Sequence, residues 1–318
     1  MPSLPTFEDV LAAAQRIAPY ATATPVLHSR TLDALAGCEL HFKAEHLQRS
    51  GAFKFRGACN AVWALSPEQA ACGVVTHSSG NHGAALALAA RTRGIACHVV
   101  VPEGAVAAKL ANIERHGATL WRCASSIAAR EATCARVQAQ TGAVLVHPYA
   151  DAAVMAGQGT AALELLRAAG PFDALVVPVG GGGLASGTAL AARALAPACE
   201  VVLAEPAGAA DAARSLAAGE LRVDFVPDTI CDGLRGTLGQ PDFEVLRALG
   251  AEVVVVDDAA TVAAMRLLWK VLKQTVEPSS ATVLAAVLAQ PARFAGKRVG
   301  VVLSGGNVDI DALPWSRA

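Results

Sequence analysis

The segment ALVVPVGGGGLASGTALAARALA, residues 174–196, places a Val-rich run, four consecutive glycines and an alanine-rich stretch in direct succession. An apolar run of this length without alternation is typical of a strand in a parallel sheet that is covered on both faces. Glycines allow consecutive backbone N–H groups to point toward one anion, and a helix N-terminus favours negative charge there. We therefore predict a strand, a phosphate-binding turn and a helix, with the turn made by Gly180, Gly181, Gly182 and Gly183.

The identity of the phosphate compound stays open at this point. Gly180, Gly182 and Ala185 fit the dinucleotide pattern G-x-G-x-x-A, and Glu205 ends the following predicted strand. This pattern is compatible with an NAD-dependent oxidoreductase. A P-loop nucleotidase is excluded because the Gly-Lys-Ser/Thr sequence is missing.

The same alternation of Val-rich runs and Ala/Leu-rich stretches begins at residue 73 and continues almost to the end of the chain. The predicted strands are residues 73–78, 96–101, 118–123, 143–148, 174–179, 200–206, 251–258 and 298–304. The predicted helices are residues 83–92, 105–116, 126–140, 158–169, 184–196 and 259–275. This order predicts an α/β protein with open, mostly parallel twisted sheets covered by helices. Residues 219–243, with scattered glycines and prolines, are predicted to form a long irregular and functional loop.

Composition narrows the range of partners. The chain has 318 residues, 53% of them hydrophobic, and a net charge of −1, so it can bury a large core but presents no basic field. Nucleic acids and membranes are therefore poor candidate partners, and a small molecule is favoured. The N-terminus lacks the pattern of a secretory signal, and the eight cysteines show no C-x-x-C pair. We expect reduced thiols in a cytoplasmic protein.

Two further glycine turns follow predicted strands. THSSGNHG, residues 76–83, concentrates Ser78, Ser79, Asn81 and His82, whereas capping of a helix requires only one or two such residues. SGGN, residues 304–307, ends the last predicted strand. Ligands of open α/β sheets bind at strand ends of this kind, so both turns are candidate ligand-binding loops.

Lys54 lies between two phenylalanines in SGAFKFRGA, residues 50–58, in a chain with six lysines and twenty arginines. Its methylene stem could simply pack on apolar surface with the amine in water. Alternatively, desolvation lowers the pKa of such an amine and produces a nucleophile or a Schiff-base lysine. The combination of this lysine with three glycine turns favours the second interpretation.

Taken in order, SGAFKFRGA, SSGNHG, GGGGL, Glu277-Pro278 and SGGN resemble the pyridoxal-phosphate-dependent serine/threonine dehydratases and serine racemases. The resemblance covers nearly the whole chain. It implies a two-domain fold of the tryptophan-synthase-β type (fold type II). The large domain would comprise residues 1–72 and 150–318, and residues 73–149 would form a small mobile domain. It also implies a homodimer and, because the chain stops soon after SGGN, no appended regulatory domain.

The resemblance implies that Lys54 carries pyridoxal phosphate as a Schiff base. The other cofactor contacts that it implies are Phe53, Asn81 at the ring hydroxyl, Gly180, Gly181, Gly182, Gly183 and Leu184 at the phosphate, Glu277 near the ring, and Ser304 at the pyridine nitrogen. A neutral hydroxyl partner such as that of Ser304 does not stabilise a pyridinium, and this favours elimination over transamination.

The implied reaction is β-elimination, which converts L-threonine, L-serine or a related 3-hydroxy amino acid to a 2-oxo acid and ammonia. Ser78, Asn81 and His82 would bind the substrate carboxylate. Ser79 would offer a proton donor opposite Lys54, which makes serine racemisation possible, or it would merely cap the helix. Tyr149 replaces the asparagine of animal serine racemases and weakens the case for racemisation as the main activity. A catalytically silent ligand-binding homologue is a further alternative.

Two other features modify this interpretation. Glu205, Ala209 and Asp211 match the divalent-cation site of the family, with oxygen ligands suited to Mg²⁺, Ca²⁺ or Mn²⁺. Surface charge would explain two acids alone, but the family spacing favours a metal. Arg130 and Arg235 could bind a second substrate carboxylate, which makes 3-hydroxyaspartate a candidate substrate.

Overall fold

Ten strands in two sheets organise the chain in the structure, a computed structural model that describes residues 4–105 and 107–315. The strands are β1 (Val26–Leu27), β2 (Glu39–Ala44), β3 (Val74–His77), β4 (Cys97–Pro102), β5 (Thr119–Cys123), β6 (Val144–Leu145), β7 (Ala174–Pro178), β8 (Glu200–Pro206), β9 (Glu252–Val256) and β10 (Arg298–Leu303).

The helices alternate with these strands along most of the chain. They are α1 (Phe7–Ile17), α2 (Arg30–Ala36), α3 (Lys54–Ala64), α4 (Pro67–Cys72), α5 (Asn81–Arg93), α6 (Ala107–Glu114), α7 (Ile127–Thr141), α8 (Ala152–Ala169), α9 (Gly183–Leu195), α10 (Asp211–Ala218), α11 (Gln240–Ala248), α12 (Asp258–Leu267), α13 (Pro278–Ala289) and α14 (Pro291–Phe294).

The larger sheet has six strands in the order β1-β2-β10-β7-β8-β9. Only β1 is antiparallel to its neighbour, and the other pairs are parallel. Helices α2, α12 and α13 pack on one face, and α8, α9, α10 and α11 pack on the other. Both faces of the sheet are therefore buried, which explains the uninterrupted apolar runs of its strands.

The smaller sheet has four parallel strands in the order β5-β4-β3-β6. Its core contains residues of α5 and α6 on one face, and α7 packs on the other. Phe55, Ala58 and Val62 of α3 belong to the same apolar cluster, although α3 precedes the sheet in the chain. Helix α3 thus joins the core of the small sheet to the rest of the molecule.

The predicted fold class is confirmed, and each of the eight predicted strands is present. The segment 143–148 is reduced to the two residues of β6, and α8 begins at Ala152 rather than at residue 158. The predicted helix 259–275 consists of α12 and a π-helical turn, Leu268–Leu272. The irregular region predicted for 219–243 ends earlier, because α11 begins at Gln240.

Strand β2 was missed because its sequence, ELHFKA, includes polar residues at buried positions. Lys43 is 1% exposed, and its Nζ donates to Glu164 Oε2 at 2.6 Å and to the Thr24 carbonyl at 2.6 Å. A lysine is buried in this way only when distant partners satisfy its charge. Glu164 lies on α8, far away in the sequence, so no local pattern announces the strand.

The eight cysteines are free thiols, and six of them are buried. Among residues 4–105 and 107–315, no helix has both the length and the apolar character needed to cross a bilayer.

Candidate active site

The three glycine turns lie at the carboxyl ends of β3, β7 and β10. Helices α5 and α9 begin in the first two turns, and the third turn lies beside the start of α13, where the Glu277 amide donates to the Gly305 carbonyl at 3.1 Å. The turn before α3 joins them, since Ala52 forms an antiparallel bridge with Gly305 and the Phe53 amide donates to the Ser304 carbonyl at 2.9 Å. Four helix N-termini therefore face one region between the two sheets. Such an arrangement favours a bound anion.

Lys54 is the first residue of α3, and it is half-buried. Its Nζ donates to the Pro148 carbonyl at 2.9 Å and lies 5.1 Å from the centre of the Phe53 ring. Burial lowers the pKa of this amine to about 8, against the opposing charges of Asp242 and Glu277. At any given pH, more of the Lys54 amine is therefore neutral and nucleophilic than in an exposed lysine.

The turn between β7 and α9 requires glycine for packing. A Cβ on Gly181 would lie 2.2 Å from Cδ1 of Tyr149, and a Cβ on Gly182 would lie 2.4 Å from Cβ of Asp242. Gly182 also has a φ of +106°, which side chains rarely adopt. Any larger residue would displace the backbone of this turn.

The backbone amides of residues 180–185 donate no hydrogen bond to another group within the described part of the chain. They belong to the turn and to the first residues of α9, where N–H groups have no intrahelical acceptor. Unpaired amides at a glycine turn form a cradle for a phosphate. The predicted phosphate ligands, Gly180 to Leu184, thus lie in one continuous set of free donors.

Glu277 lies at the centre of a hydrogen-bonded network. Asn81 Nδ2 lies 3.0 and 3.2 Å from its two carboxylate oxygens, and the Asn307 amide donates to Oε2 at 3.1 Å. Asn307 Nδ2 also donates to Asn81 Oδ1 at 2.9 Å. Burial raises the pKa of Glu277, while these donors and the Lys109 and Lys54 charges oppose the shift. The network fixes the orientation of Asn81 relative to Ser304, which is 3% exposed.

The turn between β3 and α5 presents small polar groups. Ser78 Oγ accepts the Gly80 amide at 3.4 Å, and Ser79 is half-buried. His82 is buried, with Nε2 3.3 Å from the Val146 carbonyl, and burial together with the Lys54 charge lowers its pKa well below the usual value. A neutral His82 with its proton on Nε2 fits this contact.

The two arginines predicted to bind a second carboxylate differ in their surroundings. Nε of Arg130, on α7, is buried and has no hydrogen-bond partner among the described residues. The Arg130 charge also contributes to the lowered pKa of His77, at the end of β3. Arg235 is exposed, and its Nε donates to the Thr229 carbonyl of its own loop at 3.0 Å. Arg130 is therefore the better placed of the two for a ligand in the cleft.

Glu205 and Asp211 are both fully buried and close enough to influence each other. Burial raises the pKa of Glu205 to about 8 and that of Asp211 to about 6. Glu205 accepts the amides of Ala212 and Ala213 at 2.8 and 2.9 Å, and Asp211 Oδ2 accepts the Leu238 amide at 2.7 Å.

Asp211 Oδ1 is buried and has no partner among the described residues. The two buried carboxyl groups therefore have an oxygen available for a ligand, and a cation would fit there. No group of three or more His, Cys, Asp or Glu side chains in the described ranges could hold a metal. A cation here would therefore need main-chain oxygens, such as that of the buried Ala209, and water.

Three groups of the site were not predicted from the sequence. They are Asp242 beside the glycine turn, the Pro148 carbonyl that accepts from Lys54, and Asn307, which bonds to Glu277 and Asn81. Asn307 belongs to the SGGN turn and could have been singled out with it. Asp242 follows Gln240 and Pro241 at the start of α11, where an acidic residue is ordinary. Nothing in the local sequence reveals that it is buried against the glycine turn.

Comparisons with known proteins agree with this geometry. The family model described as "Pyridoxal-phosphate dependent enzyme" matches residues 17–305. The beta-hydroxyaspartate dehydratase of Paracoccus denitrificans is 49% identical over 98% of this chain and 99% of its own length. The serine racemase of Arabidopsis thaliana is 49% identical over 95% of this chain and 92% of its own length.

Among solved structures, maize serine racemase superimposes with a TM-score of 0.94 and 45% identity, covering 97% of this chain and 95% of that one. The lysine at the head of α3, the cradle of free amides and the matched family model lead to the same assignment. The chain belongs to the family of pyridoxal-phosphate-dependent enzymes.

Proposed function

We propose that the protein is an ammonia-lyase that removes water from 3-hydroxy amino acids such as L-threonine and L-serine and releases a 2-oxo acid and ammonia. The observation that carries this proposal is the half-buried Lys54 amine, with its lowered pKa, at the edge of a cradle of free amides. The names of the relatives, a dehydratase and a racemase, support a reaction at Cα of a hydroxy amino acid. The family match also favours pyridoxal phosphate over the dinucleotide of an NAD-dependent oxidoreductase.

Pyridoxal phosphate, when bound, supplies an electron sink that stabilises negative charge at the substrate Cα. Lys54 would hold it covalently, with Phe53 beside the ring and the amides of Gly180, Gly181, Gly182, Gly183 and Leu184 around its phosphate. Nζ of Lys54 would also act as the base that takes the Cα proton of the substrate. An amine of pKa about 8 is both a competent base and a good covalent partner.

Asn81, Glu277 and Ser304 would determine the electronic state of the cofactor. Glu277 keeps Asn81 oriented through two hydrogen bonds and lies in the same network as the SGGN turn. A neutral Ser304 hydroxyl at the pyridine nitrogen leaves the ring a modest electron sink. Loss of the β-hydroxyl then competes well with prolonged carbanion chemistry.

The start of α5 would bind the substrate carboxylate. Its first amides have no intrahelical acceptors, and Ser78, Asn81 and His82 surround them. Because His82 is neutral, it contributes a hydrogen bond rather than a charge. The carboxylate is thereby oriented without a strong ion pair that would slow product release.

Ser79 would supply a proton on the opposite face of Cα from Lys54, which permits serine racemisation as a side activity. It lies in the same turn as the carboxylate-binding groups and is half-buried. Inversion requires one proton donor on each face, whereas elimination requires only the base.

A second candidate reaction is elimination from 3-hydroxyaspartate. Arg130 favours it, because its buried Nε has no partner within residues 4–105 and 107–315 and is suited to a carboxylate. The relative from Paracoccus denitrificans named as a beta-hydroxyaspartate dehydratase supports it. Arg235 would contribute only after releasing the Thr229 carbonyl.

We further propose a divalent cation, Mg²⁺, Ca²⁺ or Mn²⁺, held by Glu205, Ala209 and Asp211 in a structural or activating role. Residues 73–149 would act as a small domain that closes on residues 1–72 and 150–318 and excludes water before elimination. We expect a homodimer in the cytoplasm.

The deciding experiment is a substrate panel on purified protein. L-threonine, L-serine, D-serine and the 3-hydroxyaspartate stereoisomers are assayed for 2-oxo acid, ammonia and inversion, with Mg²⁺ present and then chelated. Borohydride should fix the cofactor on Lys54, and Lys54→Ala should abolish both labelling and turnover. Lys270→Ala, an exposed lysine, serves as the control.

The outcomes separate the alternatives. Faster oxo-acid release from a hydroxyaspartate than from threonine selects the second candidate, and serine inversion that outpaces oxo-acid release makes racemisation the main activity. A yellow protein without either product is a silent homologue. A colourless protein stabilised by NAD overturns the proposal.

A further inference from the structure

Asp242 is a buried carboxyl group that none of the proposed steps uses. It is the third residue of α11, and it is 0% exposed. It packs directly against the glycine turn, because a Cβ on Gly182 would lie 2.4 Å from Asp242 Cβ and a Cβ on Gly239 would lie 2.4 Å from Asp242 Oδ2. The Gly239 amide in turn donates to the Gly181 carbonyl at 3.0 Å. The carboxyl group is therefore part of the wall of the phosphate cradle.

The hydrogen bonds of Asp242 are incomplete. Its Oδ1 accepts from Ser186 Oγ at 3.1 Å, whereas its Oδ2 is buried and has no partner among the described residues. Glu277, the other buried carboxyl group that acts on Lys54, is bound by Asn81 and by the Asn307 amide. An ionised carboxylate in the position of Asp242 would have, among the described residues, only the Ser186 hydroxyl and its own backbone amide to replace its hydration. Buried carboxylates with so few donors are costly.

The charges around the site act on Asp242 in both directions. The Lys54 charge favours the ionised form of Asp242, whereas a bound phosphate would disfavour it. The phosphate adds further negative charge beside it. Burial raises the pKa of Asp242 well above the usual value, against the opposing influence of Ser186 and Lys54. The neutral acid is compatible with this environment, and its O–H is then a donor for which the described residues provide no acceptor.

We propose that the Asp242 carboxyl group keeps its proton in the loaded enzyme and donates it in a hydrogen bond from Oδ2 to the cofactor phosphate. The glycine turn supplies backbone N–H donors, and Asp242 adds one side-chain donor. This inference rests on the proposed use of pyridoxal phosphate, and it assigns a cofactor-positioning role to a residue that carries no chemistry in the reaction.

The test compares pyridoxal phosphate with pyridoxal, which lacks the phosphate. The dissociation constant of pyridoxal divided by that of pyridoxal phosphate isolates the phosphate contacts, because the attachment to Lys54 is common to both ligands. Asp242→Ala should reduce this ratio about tenfold, as expected for loss of a hydrogen bond to a charged group. Asp242→Asn retains a donor and should stay close to the wild type. Glu244→Gln, on the same helix, is the matched control and should change nothing.

A second measurement does not depend on affinity. The infrared difference spectrum between the loaded wild type and loaded Asp242→Asn should contain a protonated-carboxyl band that shifts in D₂O. A decrease in the ratio of dissociation constants in Asp242→Ala, together with this band, supports the inference. An unchanged or higher ratio in Asp242→Ala, or a carboxylate band in place of the acid, overturns it.

The two proposals fail in different ways. A protein that binds no pyridoxal phosphate contradicts the proposed function. A protein that binds it and eliminates water, but shows an unchanged ratio in Asp242→Ala, contradicts only the role of Asp242. If Asp242→Ala does not fold, the infrared comparison on Asp242→Asn decides.

Discussion

Lys54 illustrates how one position determines the chemistry of a site. Its amine is partly desolvated, and it lies at the head of α3, where the helix dipole disfavours positive charge. Asp242 and Glu277 act in the opposite direction. Because desolvation is the largest of these effects, the amine titrates at about 8 rather than near 10.

We expect the capture of pyridoxal phosphate by the cofactor-free protein to accelerate as the pH rises through about 8 and then to level off. Only the neutral amine attacks the aldehyde, and a lowered pKa means that the amine loses its proton at lower pH than an exposed lysine. Stopped-flow absorbance from about pH 6 to about pH 10 measures this rate. A midpoint near 10 would show that Lys54 is not desolvated.

Ser79 separates the two reactions. Ser79→Ala should reduce serine racemisation by roughly 10²-fold or more, because the second proton donor is lost, and should leave elimination largely intact. Chiral chromatography of serine, run in parallel with oxo-acid release, measures both. Ser79 does not cap α5, because the N-cap residue is Gly80 and no side chain caps the helix. Ser66→Ala, which removes the N-cap side chain of α4, is therefore a control for the general effect of a serine-to-alanine change. Equal loss of both activities would assign Ser79 a structural role.

At the scale of the element, the turn between β7 and α9 could be predicted in detail. Four glycines after a Val-rich strand leave few structural alternatives, and the structure adds the reason for Gly181 and Gly182, where a side chain would clash with Tyr149 or Asp242. The residues that surround the turn could not be predicted, because Tyr149 and Asp242 reach it from distant elements. Strand β2 was missed for a similar reason, since its buried Lys43 depends on Glu164.

Gly182→Ala should release the cofactor and reduce the stability of the protein by about 1–3 kcal/mol through strain at positive φ. Gly219→Ala is the matched control, because Gly219 has a φ of +71° with open space around it. Thermal melts with and without pyridoxal phosphate separate the two effects. Similar losses of cofactor in both variants would mean that strain alone, and not displacement of the cradle, is responsible.

The start of α10 is predicted to respond to divalent cations. Mg²⁺ should raise the melting temperature of the wild type. Asp211→Asn should remove this response, because it replaces with a neutral amide the carboxylate whose Oδ1 has no partner in the described part of the chain. Asp228→Asn, on the neighbouring loop, is a suitable control. An equal response to Mg²⁺ in Asp211→Asn would place the cation elsewhere.

At the scale of the whole molecule, an ion pair connects elements that pack beside the two sheets. Lys109, on α6 beside the small sheet, pairs with Asp232, in the turn that precedes α11 beside the large sheet. Both side chains are more than a third exposed. Such pairs contribute little to stability, about 1 kcal/mol or less, but breaking this one would favour the open form if the small domain moves as proposed.

Asp232→Asn should therefore raise the KM of the substrate while kcat and the melting temperature change little, because the open form becomes more populated. Added salt should raise the wild-type KM in the same direction. Asp224→Asn, which removes an exposed pair with Arg214 away from the cleft, is the control. A KM unchanged by either treatment would show that this pair does not favour closure.

Helix α3 is shared between the two halves of the protein, since its apolar residues belong to the core of the small sheet and the residue before it is bonded to Ser304 on the large one. A ligand attached to its first residue and held by the β7–α9 turn would therefore connect the two halves. Removing that ligand should increase local opening of the protein as well as abolish its activity, and faster amide hydrogen exchange in α3 and α5 would report the change.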